Sequence, residues 1–257
     1  MLRSIKELLG YDIEARDGKF GKVDDFLFDD EGWTIRYLVI DTGKWLPGRK
    51  VLISPLSLGQ PDWTGRVFPV ELTKQQIEDS PSIEKDQPVS RQHEERLSEY
   101  YNLMPYWTGG VMGGAHASPV NVGDQSGTSR RQKQSGTGIT KESDKVQGDP
   151  HLRSCDEVLD YRIKSKDNKI GHVEDYIVDD DTWLIRYLVI DTRNWLPGRK
   201  VLVAVPWIED VNWGETEVSV DMTKEEIKNS PEYDPSQPIN REYEQTLYDF
   251  YGRPKYW

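Results

Sequence analysis

The residues best suited to chemistry are acidic side chains crowded on two predicted hairpins. The clusters are Asp24, Asp25, Asp29, Asp30 and Glu31 in the first, and Glu174, Asp175, Asp179, Asp180 and Asp181 in the second. Clustered carboxylates bind Ca²⁺ or Mg²⁺, and paired carboxylates perform acid–base catalysis. The spacing is not that of an EF-hand, however, and aspartate is a common turn residue. We therefore expect solvated hairpin tips, with cation binding or a carboxylate-based hydrolase as the alternatives.

Other patterns of catalysis or metal binding are missing from the sequence. The four histidines share no ligand spacing that recurs along the chain, and Cys155 is the single cysteine. Neither a disulfide nor a cysteine-based metal site is therefore predicted. The sequence has no nucleophile elbow, no recurring Ser/His/Asp set and no glycine-rich phosphate loop. We predict a protein that is not an enzyme and that holds no cofactor and no metal.

The segment WLPGRK, at residues 45–50 and again at 195–200, is the best candidate for a binding surface. It supplies Trp45, Arg49 and Lys50, with Trp195, Arg199 and Lys200. Tryptophan and arginine dominate the energetics of protein interfaces. Three interpretations stay open. The segment is a structural Pro-Gly turn whose arginine pairs with a local aspartate, a contact between two copies of the domain, or a docking site for another protein.

The chain repeats itself after 150 residues. Between residues 3–53 and 153–203, 30 of 51 positions are identical, including the run IRYLVIDT. The alignment predicts a one-residue slip after Pro55 and Pro206 that recovers by Leu72. A period this long indicates duplicated domains rather than a solenoid. We predict one domain over 1–107 and a second over 151–257, which pack on each other or form a homo-oligomer.

Composition constrains the joining segment, the partners and the location. Residues 108–150 are rich in Gly, Ser, Thr and Gln, which predicts a flexible linker. The net charge is −12, so nucleic acid and anionic membranes are poor partners. No signal peptide and no apolar run long enough to span a membrane is evident. Together with the single cysteine, this favours a soluble cytoplasmic protein.

Each copy reads as short strands followed by two helices. Alternating apolar residues and turn signals predict strands at 11–16, 20–28, 33–41, 51–54 and 66–71, typical of a small β-barrel. The apolar run at 37–40 predicts a strand that is covered on both faces or lies at an interface. Capping boxes begin short helices at Thr73 and Thr223. Second helices are predicted at about 90–101 and 240–251, and the Tyr-Trp pairs at 106–107 and 256–257 should fold back onto each domain.

These motifs together resemble the PRC-barrel family. The resemblance rests on the Gly21-Lys22-Val23 strand, the RYLVIDT strand and the turn that leads into KVLISP, and it covers about residues 1–72 and 151–222. The family includes the cytoplasmic domain of the photosynthetic reaction-centre H subunit and the C-terminal domain of the ribosome-maturation factor RimM. The resemblance implies two small β-barrels, each with a helical extension, and a non-catalytic role in docking an unidentified protein. A sensor of divalent cations or small ligands, or an accessory of a photosynthetic or electron-transfer complex, is the alternative.

Overall fold

A computed structural model describes residues 1–81, 83–84, 89–107, 151–192 and 199–257. We call residues 1–107 the first half and residues 151–257 the second half. The predicted linker, residues 108–150, lies outside the described residues.

The first half alternates short strands with short helices. Its elements are β1 (Leu2–Ser4), α1 (Ile5–Leu8), β2 (Asp12–Ala15), β3 (Gly18–Asp29), β4 (Thr34–Asp41), β5 (Arg49–Ile53), a 3₁₀ turn (Pro55–Ser57), β6 (Val67–Pro69), α2 (Lys74–Glu78), β7 (Ile83–Glu84) and α3 (Arg91–Tyr101). The predicted strands and helices are all present. The short strand β1, however, was not expected from the sequence.

The second half repeats this order. Its elements are β8 (Leu152–Ser154), α4 (Cys155–Val158), β9 (Arg162–Lys164), β10 (Lys169–Asp179), β11 (Ile185–Asp191), β12 (Lys200–Ala204), a 3₁₀ turn (Val205–Trp207), β13 (Ile208–Asn212), β14 (Glu217–Val220), α5 (Lys224–Asn229) and α6 (Arg241–Tyr251). Both predicted capping boxes form, since Thr73 and Thr223 each bond the backbone and side chain three residues on.

The offset of 150 residues holds through the region where the sequence predicted a slip. Asp62 bridges Val67 in the first half, and Asn212 pairs with Glu217 at the equivalent place in the second. The predicted slip is therefore wrong. It arose from aligning two prolines, Pro55 and Pro206, that occupy different positions of equivalent 3₁₀ turns.

Each half contributes one mixed sheet to a mainly β fold, as predicted. The strand order is β6-β2-β3-β4-β5-β7 in the first half and β12-β11-β10-β9-β14-β13 in the second. The pairs β2–β6 and β9–β14 are parallel, and the remaining named pairs are antiparallel. The helices are few: α1 and α4 follow the first strand of each half, and the other helices come after β6 and β14.

The two halves exchange their first strands. β1 pairs with β10 of the second half, and β8 pairs with β3 of the first half. The hairpin tips meet as well, because the amide of Ile35 donates to the carbonyl of Trp183 and the amide of Ile185 donates to that of Trp33, both at 2.8 Å. The halves are thus joined by backbone hydrogen bonds within one chain, around an approximate twofold axis.

The apolar interior follows from this exchange. One core cluster contains side chains of both halves, including Phe28 and Tyr176, whose ring centroids lie 6.0 Å apart. A second cluster forms on the outer face of β4, where Tyr37 and Val39 pack with Leu97 of α3. The apolar run at 37–40 is therefore covered on both faces, as its sequence predicted.

Candidate interaction surface

The 45–50 turn of the first half is anchored by its apolar side chains. The Trp45 ring is half-buried and meets the Phe20 ring edge-on at 5.7 Å, and Leu46 is buried. Pro47 and Gly48 are exposed, and Gly48 has φ +78°, a left-handed conformation that favours glycine. The turn therefore presents an exposed tip and one edge of an indole ring. Trp195 lies outside the described residues.

Arg49 has a structural partner, though not the aspartate that the sequence suggested. Its guanidinium donates to the carbonyl oxygens of Glu78 at 2.7 Å and Ser80 at 2.9 Å. It thereby satisfies carbonyls at the end of α2 that have no partner within the helix. Arg199 donates to the carbonyl of Ser230 at the equivalent place. The arginines of both turns thus hold the following helix against the sheet.

The lysines of the two turns differ. Lys200 Nζ lies 2.7 Å from Glu174 Oε1 and is neutralised by it. The residue at the place of Glu174 in the first half is Asp24, which is one methylene shorter. Lys50 is half-buried and forms no ion pair within the described part of the chain. The first-half turn therefore keeps a positive charge beside its tryptophan.

The acidic clusters are largely structural. Between the halves, the half-buried Asp25 accepts from Ser154 Oγ at 2.6 Å, and the buried Asp175 accepts from Ser4 Oγ at 2.5 Å. Burial raises the pKa of both carboxyls. Each serine also caps a short helix, as Ser4 accepts from the amide of Glu7.

The carboxylates at the hairpin tips are mostly paired with arginines. Asp29 accepts from Arg36 at 2.7 Å, and Asp30 accepts from Arg153 of the second half at 3.3 Å. In the second half, Asp179 pairs with Arg186 and Asp180 with Arg3. The expectation of solvated tips is wrong for these side chains, because one arginine of the same hairpin and one arginine of the other half reach each tip. Glu31 and Asp181 remain exposed.

One group of carboxylates could hold a metal ion by distance alone. Among the described residues, Asp179, Asp180 and Asp181 offer ligand oxygens within 4.8 Å of one another. Arg186 and Arg3 already balance the first two charges. The geometry therefore gives little support to a cation site.

Arg3 of β1 and Arg153 of β8 also stack on tryptophans of their own halves. The Arg3 guanidinium lies 3.5 Å from the centroid of Trp63, and the Arg153 guanidinium lies 4.2 Å from that of Trp213. Each arginine thus makes an ion pair across the halves and a cation–π contact with its own half. The join between the halves is therefore held by charge as well as by backbone hydrogen bonds.

A buried glutamate on the last helix of each half was missed by sequence reasoning. Glu244 Oε1 accepts from Tyr187 at 2.7 Å and from Tyr256 at 2.6 Å, and Arg241 lies 2.9 Å from Oε2. Burial and the adjacent Glu244 raise the pKa of Tyr256 to about 12. The Tyr-Trp end folds back onto the domain, as predicted, and Arg241 also stacks on Trp257 at 4.3 Å.

The first half repeats this network with longer distances. Glu94 Oε2 accepts from Tyr37 at 3.2 Å and from Tyr106 at 3.0 Å, and Arg91 lies 3.6 Å from Oε1. The glutamate, its tyrosines and its arginine all recur after 150 residues, and this recurrence is the sequence feature that could have revealed the network. All these groups are bound to one another, which favours a structural role over a catalytic one.

The remaining reactive side chains lie apart from one another. His93 is buried on α3, and burial lowers its pKa to about 4. His172 lies near Asp160, and His151 lies near Asp30. Cys155 is buried between the halves, as expected for a small apolar residue, and burial raises the pKa of its thiol. Within the described part of the chain, these histidines and Cys155 form no Ser/His/Asp or Cys/His arrangement.

Fold and site together define a tandem, mainly β protein whose buried ionisable groups serve its structure. Comparison with known families matches residues 2–63 and 155–227 to the PRC-barrel domain. The matches cover more than half of the chain, so the chain belongs to the PRC-barrel family, which is generally non-catalytic.

A relative from Deinococcus radiodurans, described as an uncharacterized protein, is 38% identical over 72 residues. The match covers 28% of this chain and 26% of that protein, so it spans about a quarter of the relative's length. Within the described residues, no helix combines the length and apolar character needed to cross a membrane.

Proposed function

We propose that the protein is a non-catalytic scaffold in the cytoplasm that binds another protein through the 45–50 turn and its counterpart at 195–200. The observation that carries the proposal is that Lys50, which forms no ion pair within the described residues, belongs to the same turn as the half-buried Trp45 in a chain of net charge −12. A tryptophan edge next to free positive charge fits an acidic protein surface. Arg49 contributes by holding the turn against α2 rather than by contacting the partner.

Two further features support docking over catalysis. The exchange of strands makes the halves one unit, so two turns of identical sequence are carried by one framework. Ser4 donates to the buried Asp175, and Tyr37 and Tyr187 donate to the buried Glu94 and Glu244, so these carboxylates serve the structure.

The test is site-specific photo-crosslinking in the cells that produce the protein. A photoreactive residue at Lys44, which is exposed beside Trp45, should capture one defined partner. Capture should fall when Lys50→Glu is added, because the acidic partner is then repelled. The matched control, Arg96→Glu, makes the same charge change on exposed α3 and should leave capture unchanged. Equal capture by both variants would overturn the proposal.

A further inference from the structure

The face through which the halves pair carries opposite charges at two equivalent positions. We call this the pairing face; it consists of β1 and α1 on β10, and of β8 and α4 on β3. The amide of Lys6 donates to Asp175 Oδ1 at 3.1 Å, and the amide of Asp156 donates to Asp25 Oδ1 at 3.2 Å. The backbone geometry is thus the same on both sides, but one side chain is a cation and the other is an anion.

The two sides consequently differ in electrostatics. Lys6 Nζ lies 3.8 Å from Glu174 Oε1. Burial raises the pKa of Asp175, and the nearby Lys6 opposes this rise. Burial also raises the pKa of Asp25, but the nearby Asp156 adds to the rise. The contact of α1 is therefore attractive, whereas the contact of α4 brings like charges together.

The residues that line the contact between the halves show which charges face one another. A small pocket between the halves is lined by Lys6 and by four carboxylates, Asp24, Asp25, Asp156 and Asp175. Asp24 occupies the place that Glu174 has in the second half. Lys6 would thus meet Asp24 and Asp25 if a first half paired with its own copy. Asp156 would meet Glu174 and Asp175 if a second half did so.

We propose that the pairing face of the first half accepts a second copy of the first half, whereas that of the second half rejects a second copy of itself, and that residues 6 and 156 set this difference. Two other polar contacts across the pairing face are equivalent in the two halves: Ser4 matches Ser154 and Arg3 matches Arg153. At the hairpin tip, the Met1 ammonium beside Asp180 takes the place of His151 beside Asp30, which favours the first-half pair further. The charge at residues 6 and 156 is the difference that lies at α1 and α4, and the variants below isolate it. Contacts between chains through their second halves are disfavoured, which favours pairing with a first half.

The experiment starts from the full chain with a protease site inserted within residues 108–150. The purified protein is cut, unfolded in urea and refolded by dilution, and the pairs of halves are counted by native mass spectrometry. The sample is measured at a concentration low enough that part of the halves stays unpaired. Pairs of two first halves should then exceed pairs of two second halves by on the order of tenfold, with the surplus second halves left unpaired, because two attractive contacts replace two repulsive ones.

Three variants test the assignment to residues 6 and 156. Asp156→Lys should raise the pairs of two second halves to the level of the first-half pairs. Lys6→Asp should lower the first-half pairs to the level of the second-half pairs. Asp210→Lys makes the same charge change on exposed β13 and should alter neither. Equal amounts of the two self-pairs in the unaltered protein, mixed pairs alone, or ratios that neither variant changes would overturn the proposal.

The intact, uncut chain gives an independent reading if the cut halves do not refold. Asp156→Lys should raise its midpoint of thermal unfolding by about 2 °C or more, because a repulsive contact becomes attractive. Lys6→Asp should lower the midpoint by a similar amount, and Asp210→Lys should leave it in place. Shifts in the same direction for the two pairing-face variants, or no shift in either, would equally overturn the proposal.

Discussion

Removal of the buried Glu244 carboxylate should destabilise the protein more than any substitution on the exposed face of the same helix. Glu244 is 3% exposed and accepts two tyrosine hydroxyls at 2.7 and 2.6 Å, with Arg241 at 2.9 Å. Glu244→Ala leaves the buried Tyr187 hydroxyl without its acceptor and Arg241 without its counter-charge. The Arg241 side chain is 54% exposed and regains water, so the loss comes mainly from the hydroxyls left without an acceptor, and the free energy of unfolding should fall by about 2–4 kcal/mol.

A conservative substitution separates the hydrogen bonds from the charge. Glu244→Gln keeps an oxygen that accepts from both tyrosines and loses only the charge opposite Arg241. We expect a loss of about 1–2 kcal/mol, close to the value of one charge-assisted hydrogen bond. The equivalent Glu94→Ala should cost less than Glu244→Ala, because its three contacts are longer, at 3.2, 3.0 and 3.6 Å.

The assay is urea unfolding of the full chain, followed by tryptophan fluorescence and far-ultraviolet circular dichroism. Glu242→Ala, on the exposed side of α6, is the matched control and should change the free energy of unfolding by less than about 0.5 kcal/mol. An equal free energy of unfolding for Glu244→Ala and the control would refute the role of the Glu244 carboxylate. So would a Glu244→Gln variant that is as unstable as Glu244→Ala.

Three further predictions concern the join, the helix and the response to pH. Ser4→Ala should lower the free energy of unfolding by about 1–2 kcal/mol in urea titrations, because the residue both caps α1 and donates to the opposite half. A loss no larger than that caused by replacing an exposed serine with alanine would contradict the hydrogen bond between the halves. Trp207→Ser, which installs the residue of the equivalent position 57, should cost about 3–5 kcal/mol, because the ring packs 5.0 Å from Tyr248; calorimetry that finds an unchanged midpoint would reject this. Lys169 lowers the pKa of Glu217. The contribution of this ion pair to stability is therefore complete above pH about 4.5 and is lost as the pH falls through the lowered pKa of Glu217. Glu217→Gln should flatten this part of the profile of stability against pH, and an unchanged slope would contradict the prediction.

Local signals predicted the elements of each half. Alternating apolar residues located β2 to β6, and the threonine capping boxes located α2 and α5. These features depend on residues a few positions apart, so the sequence contains the whole cause. The family resemblance added the β-rich architecture, which the comparison confirms.

Features that depend on distant partners could not be predicted. β1 is three residues long and pairs with β10, about 175 residues further along the chain, so no local pattern reveals it. Asp25 was taken for a solvated turn residue because its partner Ser154 belongs to the other half. Glu244 lies three residues after Arg241 on a helix with many charged residues, so the sequence predicts an exposed side chain. Only the fold shows that the hydroxyl of Tyr187 donates to it. In each case the decisive contact is between the sheet and a segment remote in sequence.

Two repeated halves form one unit by exchanging strands within a single chain. This is tested by the mass in solution, measured by light scattering, of the intact chain and of the same chain cut at a protease site inserted within residues 108–150. We expect the mass of one chain in both states, because β1 on β10 and β8 on β3 hold the cut halves together. A cut sample that separates into single halves would show independent domains, and an intact sample of twice the mass would show that the strands are exchanged between chains.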